Sequence, residues 1–340
     1  MTRFLAWRLA VCIPTTLVAL SIAFIGIRLI PNNPILARFG QHAVPQQVQA
    51  EMIRHGWDRP LYEQLGGFVK DLVLRGDLGE SFFHNESVTD GLARVFPATV
   101  ELTLAALVIA LPLGIASGIV AAVWKDRWPD RLCMAGSLVG ISVPVFFIGI
   151  CLIYALPNMP TGRRLPPGVF YDRSTEFVLF ESLLRGQWHV VALAIKHLCL
   201  PAIALSTIPA AMVARVARSA MLEVFNADYI RTAWAKGNPR WRVVLCHALP
   251  NAAIPIVEIS GLQTGQLLAG AVLTETVFSW PGLGQYLVHA VQQSDYNVVQ
   301  GTTLLIAALF VLVNLTIDLL HCGLDPRFAE RGVANAANRV

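Results

Sequence analysis

Charge is scarce in this chain: Asp, Glu, Lys and Arg together make up 14% of its 340 residues. Soluble domains carry about a quarter, so the reading that length alone favours, two soluble domains, is excluded. The phosphate-cradling pattern G-x-x-x-x-G-K-[ST] is missing, so this chain has no nucleotide site of its own. H-E-x-x-H is missing as well, and the eight histidines are dispersed. The six cysteines (Cys12, Cys133, Cys151, Cys199, Cys246 and Cys322) never fall at C-x-x-C spacing, which argues against a zinc site or a disulfide framework. Cys246-His247 and His321-Cys322 are neighbours, but adjacent residues on a helix point about 100° apart and rarely share a ligand. The sequence therefore predicts no catalytic residue, no metal site and no cofactor. Repeats and low-complexity tracts are also absent.

What the chain has is apolar length. Hydrophobic residues make up 55% of it and concentrate at about 9–30, 98–123, 132–156, 197–219, 251–277 and 301–321. Each stretch suffices for a helix of roughly 20 residues across a bilayer core of about 30 Å. The first run is too long for a signal-peptide core and no small-residue cleavage site follows, so it is expected to stay as a membrane helix. The expectation is an all-α polytopic membrane protein with six transmembrane helices. Arg3 and Arg8, then Lys125, Arg127 and Arg131, then the basic residues of 215–242, and finally Arg327, Arg331 and Arg339 alternate with external segments poorer in basic residues. That asymmetry puts both termini inside. It accounts for the net charge of +4 without a nucleic-acid partner, because the basic residues are split among short loops. The chain divides into a tail and first helix (1–30), an external helical segment (31–97), a core of five helices (98–321) and a cytoplasmic tail (322–340). The core includes an external loop at 157–196 and a cytoplasmic loop at 222–250. Amphipathic patterns at 48–55 and 61–74 predict external helices.

The cytoplasmic loop holds the densest basic cluster: Arg231, Lys236, Arg240 and Arg242. Two short helices are legible there. Asn226 or Asp228 is placed to accept from free N–H groups at the first helix start, and Ile230, Ala233 and Trp234 share one face. Gly237 ends that helix in the left-handed conformation, and Pro239 suits the first turn of the next, which runs to Leu249-Pro250. Such a bracket fits an apolar groove on another protein.

This stretch resembles the cytoplasmic coupling loop of ABC importer permeases, whose pattern is E-A-A, three residues, G, nine residues, I-x-L-P. Arg231-Thr232-Ala233 take the E-A-A positions, Gly237 the glycine and Leu249-Pro250 the close, with Arg231 replacing Glu and His247 replacing Ile. The D-Y-I-R-T-A-x-A-K-G form is that of the dipeptide/oligopeptide/nickel branch, in which Trp234 is unusual. SAMLEV (219–224), LLAGAVLTETVFSWPGLGQYL (267–287), DLGESF (77–82), IPNNP (30–34) and DPR (325–327) extend the resemblance over most of the chain. It implies a type I importer permease fold in the bacterial cytoplasmic membrane, with a peptide pathway formed by this chain and a homologous second permease. It further implies two ATP-binding subunits, which hold ATP and Mg, and an external substrate-binding protein. Asp228, Tyr229, Ile230, Arg231, Ala233, Trp234, Lys236, Gly237, Leu249 and Pro250 are then the ATPase-coupling residues. The same machinery serves glutathione, nickel complexes or opine-like compounds, since the shared motifs concern coupling and packing.

Inside the spans, Gly114-x-x-x-Gly118 and Gly261-x-x-x-Gly265 let helices approach closely. Charged residues there each cost about 2.5–3.5 kcal/mol at mid-bilayer unless they meet a partner or water. Glu258 lies two turns into the fifth span, and Asp318 shares a face with Asn314 in the sixth. Both either pair with Arg215 or Arg218 or line the translocation path. Glu275, leading into the break at Pro281-Gly282, points to the path or its outer gate, and Trp280 reads as an interfacial anchor. Glu101 and Arg28, near the outer boundary, are expected to snorkel. A gradient-driven secondary transporter would need inverted repeats or midplane broken helices, and neither is legible. A membrane-embedded enzyme would need a nucleophile–base or metal constellation.

Overall fold

The computed structural model describes residues 2–29, 35, 44–54, 56–170 and 174–324. The motifs at 30–34 and 325–327 lie outside it. The described residues form helices and no strand, apart from one bridge between Glu80 and Ser87. The helices are α1 (Thr2–Leu29), α2 (Pro45–Arg54), α3 (Leu61–Arg75), α4 (Val88–Val123), α5 (Trp128–Ser142), α6 (Val145–Ala155), α7 (Val178–Leu184), α8 (Trp188–Phe225) and α9 (Asp228–Ala235). After these come α10 (Arg240–Arg242), a π-helical turn (Val243–Ala248), α11 (Leu249–Gly270), α12 (Val272–Val277), α13 (Leu283–Gln293) and α14 (Tyr296–Leu324). Among the described residues, four helical runs are long and apolar enough to cross a membrane: Val88–Val123, Trp188–Phe225, Arg240–Leu268 and Tyr296–Leu320. The α5–α6 pair makes a fifth, and Pro14–Leu29 of α1 is a shorter apolar helix.

The centre of the bundle is the pair α4 and α8, which run parallel: 98–106 of α4 packs with 198–205 of α8, and 114–118 with 210–214. Ser87 caps α4 by accepting the Thr89 N–H at 3.2 Å. The two helices meet at glycines. A Cβ on Gly114 would lie 2.7 Å from the Ala210 carbonyl oxygen, and one on Gly118 would lie 2.6 Å from that of Ala214. In lipid, where burial supplies no hydrophobic driving force, such backbone contact is what holds helices together. Gly261 and Gly265 make room on α11 for side chains of α14: their Cβ positions would meet the Ile317 side chain at 2.3 Å and the Phe310 ring at 3.0 Å.

Two spans differ from the sequence expectation. The 132–156 stretch is not one straight helix but α5 and α6, bent by 103°. Pro144 has no N–H to continue the ladder and holds Val143 extended (ψ 124°), so the chain must turn there. At 240–270 the opposite occurs. The second cytoplasmic helix does not stop at Leu249-Pro250 but runs into the membrane through the π-helical turn. Pro250 would clash with the carbonyl four residues back, and a wider turn at that point relieves it without ending the helix.

Candidate coupling surface and buried charge sites

At one end of the bundle, α9 follows α8 after a two-residue turn. Its N-cap is Ala227, extended (ψ 146°), and no side chain caps it. Asn226 instead donates from Nδ2 to the Leu222 carbonyl, and Asp228 pairs with Arg231 at 3.3 Å on the surface. The expected Asn226 or Asp228 cap is thus replaced by backbone geometry alone. Gly237 has φ +74°, where a side chain is strained, and its N–H bonds the Trp234 carbonyl at 2.9 Å.

The apolar face of α9 splits in a way its periodicity concealed. Ile230 is fully buried and Ala233 is 7% exposed, packed with Val213, Ala217, Met221, Val243 and Ala248 of the chain's own bundle. They therefore cannot enter a groove on another protein. Tyr229, Arg231, Trp234 and Lys236 face outward, joined by exposed Trp241 and Leu245. Leu249 is half-buried against the same inner cluster, and Pro250 is exposed. The inner face fastens the bracket and the outer face is free to meet a partner.

An ion pair lies beside this bracket. Arg218 donates from Nε and Nη2 to the two oxygens of Asp130, both at 2.6 Å, and the Asp126 N–H also donates to Asp130 at 2.9 Å. Arg240, on the far side of the coupling loop, donates to the Val123 carbonyl at 2.8 Å and sits 5.6 Å from the Trp124 ring centre. The α4–α5 turn is thus held by α8 and by the second coupling helix together. Sequence reasoning named Arg218 but not Asp130, whose only signal was a carboxylate in the first turn of an otherwise apolar helix. Arg218 does not pair with Glu258 or Asp318. Glu258 is exposed on α11, in an open row with Ile254, Leu262 and Gln266 at helical spacing. Asp318 and Asn314 are half-buried on α14.

At the other end of the bundle Glu275 is completely buried. Its Oε1 accepts the Thr99 hydroxyl at 2.6 Å, and its Oε2 accepts the N–H groups of Gly284 at 2.7 Å and Gln285 at 3.0 Å. A carboxylate at these first-turn amides meets both unsatisfied donors and the positive end of the α13 dipole. Gly282 and Gly284 are required by proximity: a Cβ on Gly282 would meet the Glu275 carboxylate, and one on Gly284 would lie 2.5 Å from Val272 Cα. Trp280 is 2% exposed and donates from Nε1 to the Ala98 carbonyl at 2.9 Å, so it is a core residue and not an interfacial anchor. Glu101 does not snorkel either. It pairs with Arg164 at 2.6 Å and accepts the Leu179 and Phe180 N–H groups, pinning the 157–196 loop to α4.

One trio resembles hydrolytic machinery in composition only. Ser81 donates to Asp295 at 2.6 Å, and His84 Nδ1 lies 3.2 Å from the same hydroxyl. In a catalytic triad histidine stands between serine and carboxylate; here the carboxylate accepts the serine hydroxyl's hydrogen bond directly. Ser81 is 2% exposed, and Asp295 also accepts the Val298 N–H at the start of α14. The trio locks a turn.

Comparison with known proteins gives this architecture its place. Residues 93–330 match the family described as binding-protein-dependent transport system inner membrane component, and residues 1–103 match that family's N-terminal region. The chain is 44% identical over 336 residues to the di/tripeptide transport system permease protein DppB of Pseudomonas aeruginosa, covering 97% of this chain and 100% of that one. It is 36% identical over 326 residues to the glutathione transport system permease protein GsiC of Escherichia coli, covering 96% and 98%. A chain of the inward-facing MetNI methionine ABC transporter superposes on 69% of this chain and 97% of its own, with a TM-score of 0.49 and 17% identity. Matched by sequence over nearly its full length, this chain is a member of the binding-protein-dependent transport system inner membrane component family.

Proposed function

We propose that this chain is one membrane-spanning subunit of an ATP-driven importer that carries dipeptides and other short peptides into the cell. The observation that carries the coupling role is the divided face of α9. Ile230 and Ala233 anchor it to α8, the π-helical turn and α11, while Tyr229, Arg231, Trp234 and Lys236 are exposed. The peptide substrate rests on the 44% identity to a di/tripeptide permease against 36% to a glutathione permease. In this reading a second, similar permease completes the pathway, two ATP-hydrolysing subunits grip the outward face of α9, and an external binding protein delivers the peptide. Both chain termini lie in the cytoplasm. ATP-driven closure moves α9 and α10 as one lever, and α8 and α11 carry that motion to the gates, a two-state coupling between distant sites.

The open row on α11 is assigned to the pathway. A helix face turned to lipid carries no carboxylate, yet Glu258 stands exposed here with Gln266 two turns away. The test is uptake of a labelled dipeptide into sealed vesicles holding the complete complex. Uptake should require ATP and the ATPase subunits, and Glu258→Leu should reduce it while leaving assembly intact. Uptake driven by an ion gradient in vesicles lacking the ATPase subunits would overturn the reading.

A further inference from the structure

Beside the outer ends of α1 and α14 lies a cavity of about 330 Å³ that the coupling and pathway assignments leave unused. Its walls are the last turn of α1, the turn before α3, one face of α3, the Asp77–Gly79 turn and the start of α14. Arg28 is held there with care. Its guanidinium lies 3.5 Å from the centre of the Phe24 ring and 5.0 Å from that of Tyr296. Its Nε donates to Gln64 Oε1 at 2.9 Å and its Nη1 to the Phe24 carbonyl at 3.2 Å. Gln64 is itself fixed, donating from Nε2 to the Trp57 and Arg59 carbonyls at 3.2 and 2.7 Å. All these partners are neutral. Neither Arg28 nor Arg59, which also lines the cavity, forms an ion pair among the described residues.

Gln300 borders the same cavity. It is 1% exposed, and its amide Nε2 has no hydrogen-bond partner. A buried donor left unpaired costs about 1–3 kcal/mol, and an oxygen acceptor in the cavity would relieve it. Glu63 and Asp71 also line the cavity, two turns apart on α3. Glu63 has no ion pair among the described residues, and Asp71 has only a loose contact with Arg75 at 3.9 Å. Between them is Gly67, where an added Cβ would meet nothing within 4 Å. The cavity therefore gathers unpaired cations, an unpaired buried donor and carboxylates in one lining.

We propose that this cavity binds a zwitterion, its carboxylate or phosphate taken by Arg28 and Gln300 and its ammonium by Glu63 and Asp71. Two sources carry that chemistry at the outer membrane surface: a free short peptide and the headgroup of phosphatidylethanolamine. The site stands apart from the coupling loop and does not depend on the transported substrate. The assembled complex, without binding protein, is placed in nanodiscs of phosphatidylglycerol. It is titrated with alanyl-alanine by calorimetry and, separately, with phosphatidylethanolamine followed by native mass spectrometry. At least one probe should bind saturably. Gly67→Phe fills the cavity, and replacing a helical glycine with open space beside it leaves the fold intact, so this variant should weaken the bound probe by about tenfold or more. Arg28→Gln should do the same if it assembles. Loss of dipeptide binding identifies a free zwitterion, and loss of lipid retention identifies the headgroup. Equal binding of both probes to wild type and Gly67→Phe, or no binding to wild type, overturns the proposal.

Discussion

At the outer end of the bundle, Glu275 is sealed from solvent and three directional hydrogen bonds from Thr99, Gly284 and Gln285 converge on it. At the inner end, α9 is held by Ile230 and Ala233 against small apolar neighbours, with one ion pair beside it. The chemistry of the two attachments differs in kind. Charge-assisted bonds in a low dielectric hold one geometry and lose much when it is left. Contacts between Ala, Val and Ile carry no direction, so a helix fastened by them tilts and keeps most of its attraction. The outer break is thus built as a fixed corner, and the bracket as a joint.

The largest effect should come from breaking the corner. Glu275→Leu leaves two backbone N–H groups and a threonine hydroxyl without an acceptor, a loss of about 3–5 kcal/mol. The purified subunit should melt well below wild type in detergent and accumulate poorly in cells. Glu275→Gln keeps one carbonyl acceptor and should fall between the two. Should Glu275→Leu melt with wild type, the corner would be no more fixed than the joint.

Next is the joint itself. Gly237→Val meets an extra penalty of about 1–2 kcal/mol at φ +74°. Nothing lies within 4 Å of the added Cβ, so the strain is in the backbone alone. Relieving it re-aims α9 against α10 and pulls Ile230 and Ala233 from their seats. Insertion and pairing with the second permease should survive, while ATPase co-purification, or its stimulation by loaded binding protein, should fail. Arg242→Gln, on the exposed side of α10, serves as the mild control. Full uptake and full stimulation in Gly237→Val would remove the joint from the mechanism.

How much of this was legible depended on how local each cause is. Gly237 could be read because a left-handed residue after a short helix is a property of a few neighbours. The long apolar helices could be read because a bilayer sets their length, whereas the 103° bend inside 132–156 could not. Partner choice could not. Thr99 and Glu275 stand 176 residues apart and Asp130 and Arg218 stand 88 apart, and no periodicity joins them. Ile230 and Trp234 share an apolar stripe in projection, yet a helix of eight residues can bury only part of that stripe. The sequence does not say which protein each half meets. Trp280 misled for a related reason. A tryptophan before Pro-Gly matches an interfacial anchor, but the glycines after it allow the chain to fold back and bury the ring.

The Asp130–Arg218 pair tests whether the joint also has a stop. Its paired bonds hold the α4–α5 turn to α8 beside the bracket, and Asp130→Asn should cost less than the corner, about 1.5–3 kcal/mol. It should also raise ATP hydrolysis in the absence of binding protein, because the α4–α5 turn no longer follows α8. Exchanging the charges, Asp130→Arg with Arg218→Asp, should restore part of the stability and lower part of the excess ATP hydrolysis. Equal behaviour of the single and exchanged variants would show that the pair only fills space.

The smallest effect concerns the outer loop that Glu101 pins to α4. Glu181 is buried there, at 5% exposure, and accepts the N–H and hydroxyl groups of Ser174 and Thr175. Burial pushes its carboxyl up from the ordinary 4.5, but the bonds from Ser174 and Thr175 outweigh it and bring it down to about 2. Because the folded value lies below the unfolded one, ionised Glu181 stabilises the loop at every pH above 4.5, and that support is lost as pH falls from 4.5 through 2. Between neutral pH and pH 5 the loop should therefore hold, whereas near pH 3 part of its support is gone. Amide exchange at 174–185 should be flat over the first range and faster in the second, with core amides of α8 as reference. Glu181→Gln should raise exchange at neutral pH and remove the acid dependence. An acid dependence unchanged in Glu181→Gln would assign it to another carboxylate and leave the outer loop's attachment to Glu101 and Arg164 alone.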